Sequence, residues 1–366
     1  MVDTVVINLT PNKVIPPQLR IAINGTEVFD GVIDRARSIR HEIELQDRLN
    51  ITIHKTGKTK EVVDRKEPQE VLVEQVLLNG LDQHPDKFGV FDQKDNSYVK
   101  DQTIEGNEMA LNGVWEFDIP VFRQPFVPHP DKDYRDEFTD TGTACFGCSF
   151  TYGSFLEYDQ TWPYHLGGNT KNYGVGGSSI SSVIGTAREY VKNFDCEKIA
   201  ILLPHPCRLQ LEDDTGKVHT LLPGRSPEIE KKFEEISRDI VMFGESSLLL
   251  AGYSNDLKNI LKEISQKTKV YLSAYDKDVY DCLSLLNEGH YKMLPFYEMS
   301  SEFTLASDNA HPGPEHNRLF AESVAQYMDV MPTNLNTNKL TVKQKSYTID
   351  EVVQATKDIE PYIWKK

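Results

Sequence analysis

The chain has 366 residues, 39% of them hydrophobic and 26% charged, and a formal net charge of −16 at pH 7. That length supports two domains with separate cores. The acidic balance argues against nucleic acid or an anionic membrane surface as partner, since both would repel it. Five cysteines, odd in number and thinly spread, do not form a disulfide framework, and no apolar run approaches the length of a membrane-crossing helix.

The first segment, MVDTVVINLTPNK, has no basic region and no long apolar stretch. It reads as a strand rather than a secretory signal, which fits a cytoplasmic or virion-associated protein. Over residues 1–128, TVVINLT, LRIAINGTEVFDGVI, IRHEIELQDRLNITIHK, QEVLVEQVLLNGL and VWEFDIPVF alternate apolar and polar residues or carry β-branched and aromatic clusters. Turn signals separate them at Asn24-Gly25, Thr56-Gly57-Lys58, Asn79-Gly80 and Asn112-Gly113. The pattern predicts an all-β sandwich. Residues 129–140, HPDKDYRDEFTD, read as a solvated connector. Asp131, Asp133 and Asp136 lack the loop glycine and terminal glutamate of a calcium-binding EF-hand.

From 141 to 330 strands alternate with helices. TACFGC is a strand ending at Ser149, and a short helix lies near TWPYHLGG. TKNYGVGG gives a second strand and loop. SSISSVIGTAREYVKNF is a helix capped by Ser178 or Ser179, with Ile180, Val183, Ile184, Ala187 and Val191 on one face. KIAILLP is a buried third strand. RLQLEDDTGKVHTLL at 208–222 carries a hairpin signature, expected as a wall of the site or as an assembly contact. A helical region at 226–267, the strand KVYLSAY, a helix at 277–287, the short strand YKMLPF and a helix after Pro314 complete the unit. Such alternation predicts a mostly parallel sheet covered on both faces, with ligands outside the carboxyl ends of its strands. Residues 331–366 read as an extended arm and a helix capped near Thr348, which docks on its own chain or holds a neighbour.

Two stretches carry chemistry. FGCSFTYG, residues 146–153, sets Ser149 on a glycine-flanked turn after a strand, and SDNAHPG, residues 307–313, sets Asp308 three residues before His311. A serine hydroxyl becomes a useful nucleophile only when an adjacent base takes its proton, and a carboxylate orients that base. His165, His219 and His316 have no comparable sequence partners, and Trp115 and Trp162 read as core. Cys145 and Cys148 form a lone CxxC without a second pair or nearby histidines, so they read as two small residues at a strand end.

These motifs, in this order, resemble those of the SGNH (GDSL-like) hydrolase superfamily. Gly147, Ser149, Thr151 and Gly153 match its first block, with Cys148 in place of aspartate. Asn172, Gly174 and Gly177 match the second, and Asp308 and His311 the last. The third block, Gly-x-Asn-Asp, is replaced by PHPCR at 204–208. The resemblance implies a three-layer α/β/α unit in which Ser149, Asp308 and His311 perform acyl transfer to water. It also implies that the amides of Ser149 and Gly177 form the oxyanion hole and that no metal or organic cofactor is needed. Asn172 serves the site or fixes its loop, and His205 and Arg208 are candidates to replace the missing donor. The first 128 residues resemble the carbohydrate-binding sandwiches appended to glycan-active enzymes, so an O-acetylated carbohydrate is the expected substrate. The alternative is a binding or structural protein, such as a virion component or homo-oligomer, on a hydrolase-like fold.

Overall fold

The alternating residues of the first 120 positions become the inner faces of two antiparallel sheets. The structure, a computed structural model, describes residues 2–329 except 14, 61, 63–67, 94–101, 130–132, 223, 225–226 and 300–301. The expected arm and helix at 331–366 lie outside the described residues. One sheet runs Glu108–Met109, Gln69–Leu78, Asp3–Lys13, Arg37–Ile43, with Leu81–Asp82 also paired to Gln69–Leu78. The other runs Thr26–Val32, Gln18–Ile23, Arg48–Thr56, Gly113–Pro120, Gly89–Gln93, Gln102–Glu105. Because side chains alternate along a strand, Val5, Ile7 and Leu9 of the first sheet join Ile51, Ile53, Trp115 and Phe117 of the second in one buried cluster. Asn24 and Gly25 have φ of 44° and 77°, and Asn79 and Gly80 have 53° and 92°. Two-residue hairpin loops require that pair of left-handed residues.

The second unit is a parallel sheet in the order Thr170–Asn172, Thr141–Gly147, Cys196–Leu203, Lys269–Ala274, Lys292–Met293. The same period of two divides its core. Ala144, Phe146, Ile199, Ile201 and Leu272 share one cluster with the helices Ile180–Asn193 and Ser254–Ser265. Cys145, Ala200, Leu202 and Tyr271 share another with Trp162, Phe320 and Val324 on the opposite face. The result is a three-layer α/β/α unit preceded by an all-β sandwich. Ser179 caps the helix Ile180–Asn193, its hydroxyl accepting the Ser182 amide at 3.1 Å. The helical region 226–267 is four helices, Pro227–Lys232, Glu234–Met242, Ser246–Ala251 and Ser254–Ser265. At Gly252, between the last two, a Cβ would collide with the backbone of Phe122.

The two units meet through buried polar groups. Asp3, fully buried, pairs with Arg123 at 2.5 Å and accepts from Asn79 Nδ2 at 2.8 Å. Arg123 also donates to the carbonyls of Leu45 and Gly252, and Asn79 Nδ2 to that of Ala251 at 3.0 Å. The stretch expected as a solvated connector is packed where it is described. Arg135 donates to the carbonyls of Tyr152, Gly153 and Leu156, and Asp136 accepts from the Asn172 amide at 2.7 Å and the Tyr158 hydroxyl at 2.8 Å. Arg135 and Asp136 read as solvent-facing by composition, yet they find partners within the fold, while Asp133, Glu137 and Asp140 are exposed as expected. No described helix is long and apolar enough to cross a membrane.

Candidate active site

The strand Thr141–Gly147 ends in a tight turn into the short helix Ser149–Tyr152. A Cβ on Gly147 would collide with the Thr151 hydroxyl and the Leu202 carbonyl, and one on Gly174 with the Tyr152 amide. Both glycines are therefore conditions for bringing the neighbouring loop against the Ser149 turn. Asn172 locks the same contact, donating to the Thr151 carbonyl at 2.8 Å and accepting the Gly174 amide at 3.0 Å. Both bonds tie the loop to the Ser149 turn.

A cavity of about 570 Å³ opens at the carboxyl ends of the parallel strands. Ser149, Gly177, His205, Arg208, Tyr275 and His311 are among its lining residues, with Leu222 from the foot of the hairpin formed by Leu209–Glu212 and Val218–Leu221. Every crevice-forming loop follows a different strand, as the topology of such sheets requires.

Asp308 Oδ2 lies 2.5 Å from His311 Nδ1, while Asp308 Oδ1 accepts the amides of His311 and Ala310 at 3.0 and 3.1 Å. Burial opposes ionisation of Asp308, but the bonds from the His311 amide and ring and from Ala310 outweigh it and hold its pKa below the ordinary value. The loop is closed by the Ala306 amide donating to the His311 carbonyl at 2.8 Å. The imidazole packs against Phe150 and Phe155 at centroid separations of 5.7 and 5.6 Å. Phe155 has a left-handed φ of 63° and is 61% exposed. For a bulky residue that conformation costs on the order of 1–3 kcal/mol.

Ser149 and His311 share the cavity but are not hydrogen-bonded to each other. The Ser149 hydroxyl is directed at Cys148 Sγ, 4.0 Å away. Hydrogen bonds of this kind are often long without substrate and shorten in the complex. The Ser149 amide, at the first position of its helix, and the Gly177 amide, in a left-handed turn with φ of 79°, have no acceptor among the described residues.

The two candidates for the missing donor differ. His205 Nδ1 accepts the Cys207 amide at 3.1 Å, and Nε2 faces Asp276 Oδ2 at 3.5 Å. Burial lowers its pKa, with Asp276 opposing. Both ring nitrogens are thus engaged. Arg208 has no acidic partner among the described residues, and its Nη1 is buried without a hydrogen bond. Tyr275, which sequence reasoning missed, stacks on Phe150 at 4.3 Å and accepts the His205 amide at 3.1 Å. Burial raises its pKa, so the phenol keeps its proton and can donate it. Its only sequence signal was its place just past the end of a buried strand.

Other expected residues lie elsewhere. Trp115 and Trp162 are fully buried, and all five cysteines are free. His219 has a partner after all, Asp213 at 2.8 Å, with Lys232 on the same carboxylate. That cluster belongs to the hairpin and not to the cavity lining. Among the described residues no group of three or more His, Cys, Asp or Glu is placed to hold a metal ion.

No family model and no curated protein matches the chain. Among solved structures it is similar to an acetyl xylan esterase, Est2A, from the rumen bacterium Butyrivibrio proteoclasticus, at 10% identity and TM-score 0.34 over 90% of this chain and 88% of that one. It is also similar to a family two carbohydrate esterase from Clostridium thermocellum in complex with cellohexaose, at 8% identity and TM-score 0.32 over 89% and 90%. A carbohydrate-binding module, vCBM60 in complex with galactobiose, is similar over 32% of this chain and 99% of that one, at 11% identity and TM-score 0.24.

Proposed function

We propose that this chain is a serine ester hydrolase of SGNH type acting on O-acylated, in particular O-acetylated, carbohydrate. One observation carries the reading: Ser149, Gly177 and His311 border one cavity, the amides of Ser149 and Gly177 are unbonded, and Asp308 holds His311 from behind. In the proposed mechanism the Ser149 hydroxyl turns from Cys148 Sγ and comes within hydrogen-bond reach of His311 Nε2 when substrate binds. The ring takes the proton as Oγ attacks the ester carbon, and Asp308 holds the imidazole by its other nitrogen. The amides of Ser149 and Gly177 stabilise the oxyanion. His311 then gives its proton to the departing alcohol, and water, activated by the same ring, releases the acid from the acyl-enzyme. A cavity of about 570 Å³ leaves room for more than an acetyl group, and the exposed ring of Phe155, packed against His311, offers a face for a sugar.

A non-catalytic binding or structural role is favoured by the missing Ser149–His311 hydrogen bond and the replaced third block. Hydrolysis of p-nitrophenyl acetate, together with labelling by a fluorophosphonate serine probe, separates the two. The esterase reading expects both in the parent and a loss on the order of 10⁴ or more in rate in Ser149→Ala. No turnover and no labelling in the folded parent would leave the binding role.

A further inference from the structure

Arg208 is a charged group in a place where charge is costly. Its guanidinium lines the ester cavity, its Nη1 is buried without a hydrogen bond, and it forms no ion pair with any described carboxylate. The groups that bear on it are Cys148, through charge and a side-chain hydrogen bond, Tyr275 and Cys207, with the His205 imidazole also near, and none of them is a carboxylate. Arginine does not shed its proton in proteins, and buried charges are otherwise paired. The residue at 148 sharpens the point. Cys148, fully buried and beside the nucleophile, stands where the matched motif has aspartate, so the acid that would sit nearest Arg208 is absent.

We propose that Arg208 is the receptor for a carboxylate on the substrate, so that the preferred ester is an anionic one. This rests on the esterase reading for its chemistry but not for its binding. Two unbonded amides, those of Ser149 and Gly177, already suffice to hold an oxyanion. The guanidinium is then surplus to that task, and its planar fork is matched to carboxylate geometry. Across a protein of net charge −16, a local cation also offsets the repulsion an acidic substrate would meet. The carboxylate can reside on the acyl side, as in a hemisuccinate, or on the alcohol side, as in an acetylated uronic acid.

Two substrate pairs distinguish those sources: p-nitrophenyl hemisuccinate against p-nitrophenyl acetate, and acetylated methyl glucuronide against acetylated methyl glucoside. In at least one pair the anionic ester is expected to have the higher kcat/KM by about 10- to 100-fold, the range of a charge-assisted hydrogen bond. Arg208→Gln should collapse that ratio towards one, Arg208→Lys should keep part of it, and Cys148→Asp, which supplies an internal counter-ion, should also collapse it. Because Arg208→Gln removes a partly buried charge that has no carboxylate partner among the described residues, its Tm should match or exceed that of the parent. Methyl glucuronide or succinate should raise the Tm of the parent but not of Arg208→Gln. That ligand shift without hydrolysis of any ester would sink the esterase reading and leave the anion site standing. No preference in either pair together with no ligand shift overturns the site. Equal loss on both members of a pair in Arg208→Gln also overturns it and makes Arg208 an oxyanion donor.

Discussion

Asn172 holds the backbone of Thr151 from the neighbouring strand, its Nδ2 donating to the Thr151 carbonyl at 2.8 Å while its Oδ1 accepts the Gly174 amide at 3.0 Å. One fully buried side chain thereby fixes both the Ser149 turn and the loop that leads to Gly177. Asn172→Ala leaves a buried carbonyl and a buried amide without partners. Each is expected to cost on the order of 1–3 kcal/mol. Urea denaturation should report the loss, and esterase activity should fall with it. An unchanged midpoint would mean that water replaces both bonds.

Gly177 tests backbone conformation apart from space. Its φ is 79°, while the nearest atom to a Cβ built there is Leu222 Cδ1 at 3.7 Å, an ordinary contact. Gly177→Ala therefore acts through left-handed strain of about 1–3 kcal/mol. If the turn relaxes, an oxyanion donor moves and kcat on p-nitrophenyl acetate is expected to fall on the order of 10²-fold. Parental kcat in a folded Gly177→Ala protein would remove this amide from the mechanism.

The junction between the two units depends on Arg123 and Asp3. Arg123→Met leaves the fully buried Asp3 without its cation, and breaking a buried pair in this way costs about 3–5 kcal/mol. Adding Asp3→Asn in the same chain should restore much of the loss, because the amide needs no counter-charge. Denaturation midpoints of the single and double variants check this. A double variant as unstable as Arg123→Met would locate the penalty elsewhere.

Lys55 gives the sandwich a pH signature. It is fully buried, donates to the Leu111 carbonyl at 2.9 Å, and has its pKa lowered to about 7, by burial first and then by the neighbouring Lys58. The unfolded chain holds this proton up to its ordinary value of 10.5. The folded state therefore binds fewer protons between those values, and stability falls as pH is lowered from 10.5 to about 7, then levels off. Lys55→Met should flatten this slope in denaturation measured across that window. An unchanged slope would assign the dependence to other groups.

Legibility in the sequence followed the range of the interaction. Asp308 and His311 lie three residues apart, so one loop carries their whole relationship, and period-two alternation marked both sandwich sheets. Gly147 and Gly174 could be matched by position, but their reason, close approach to Thr151 and Tyr152, exists only once strands are paired. The connector misled because Arg135 and Asp136 are charged by composition, while their partners are groups 17 to 36 residues away along the chain. His219 read as solitary because Asp213 reaches it only around a hairpin turn. Tyr275 and the left-handed Phe155 left almost no local trace, since their positions are set by the packing around Phe150 and His311.

Cys145 and Cys148 flank the end of the strand that leads to Ser149, and neither has any exposed surface. A thiol-alkylating reagent can reach them only when that strand end comes away from its neighbours. Their modification rate in native buffer therefore counts the opening events of the turn that carries Ser149, separately from global unfolding. The chain thus carries two native thiols that time the opening of the Ser149 turn, read by mass spectrometry as the mass each alkylation adds.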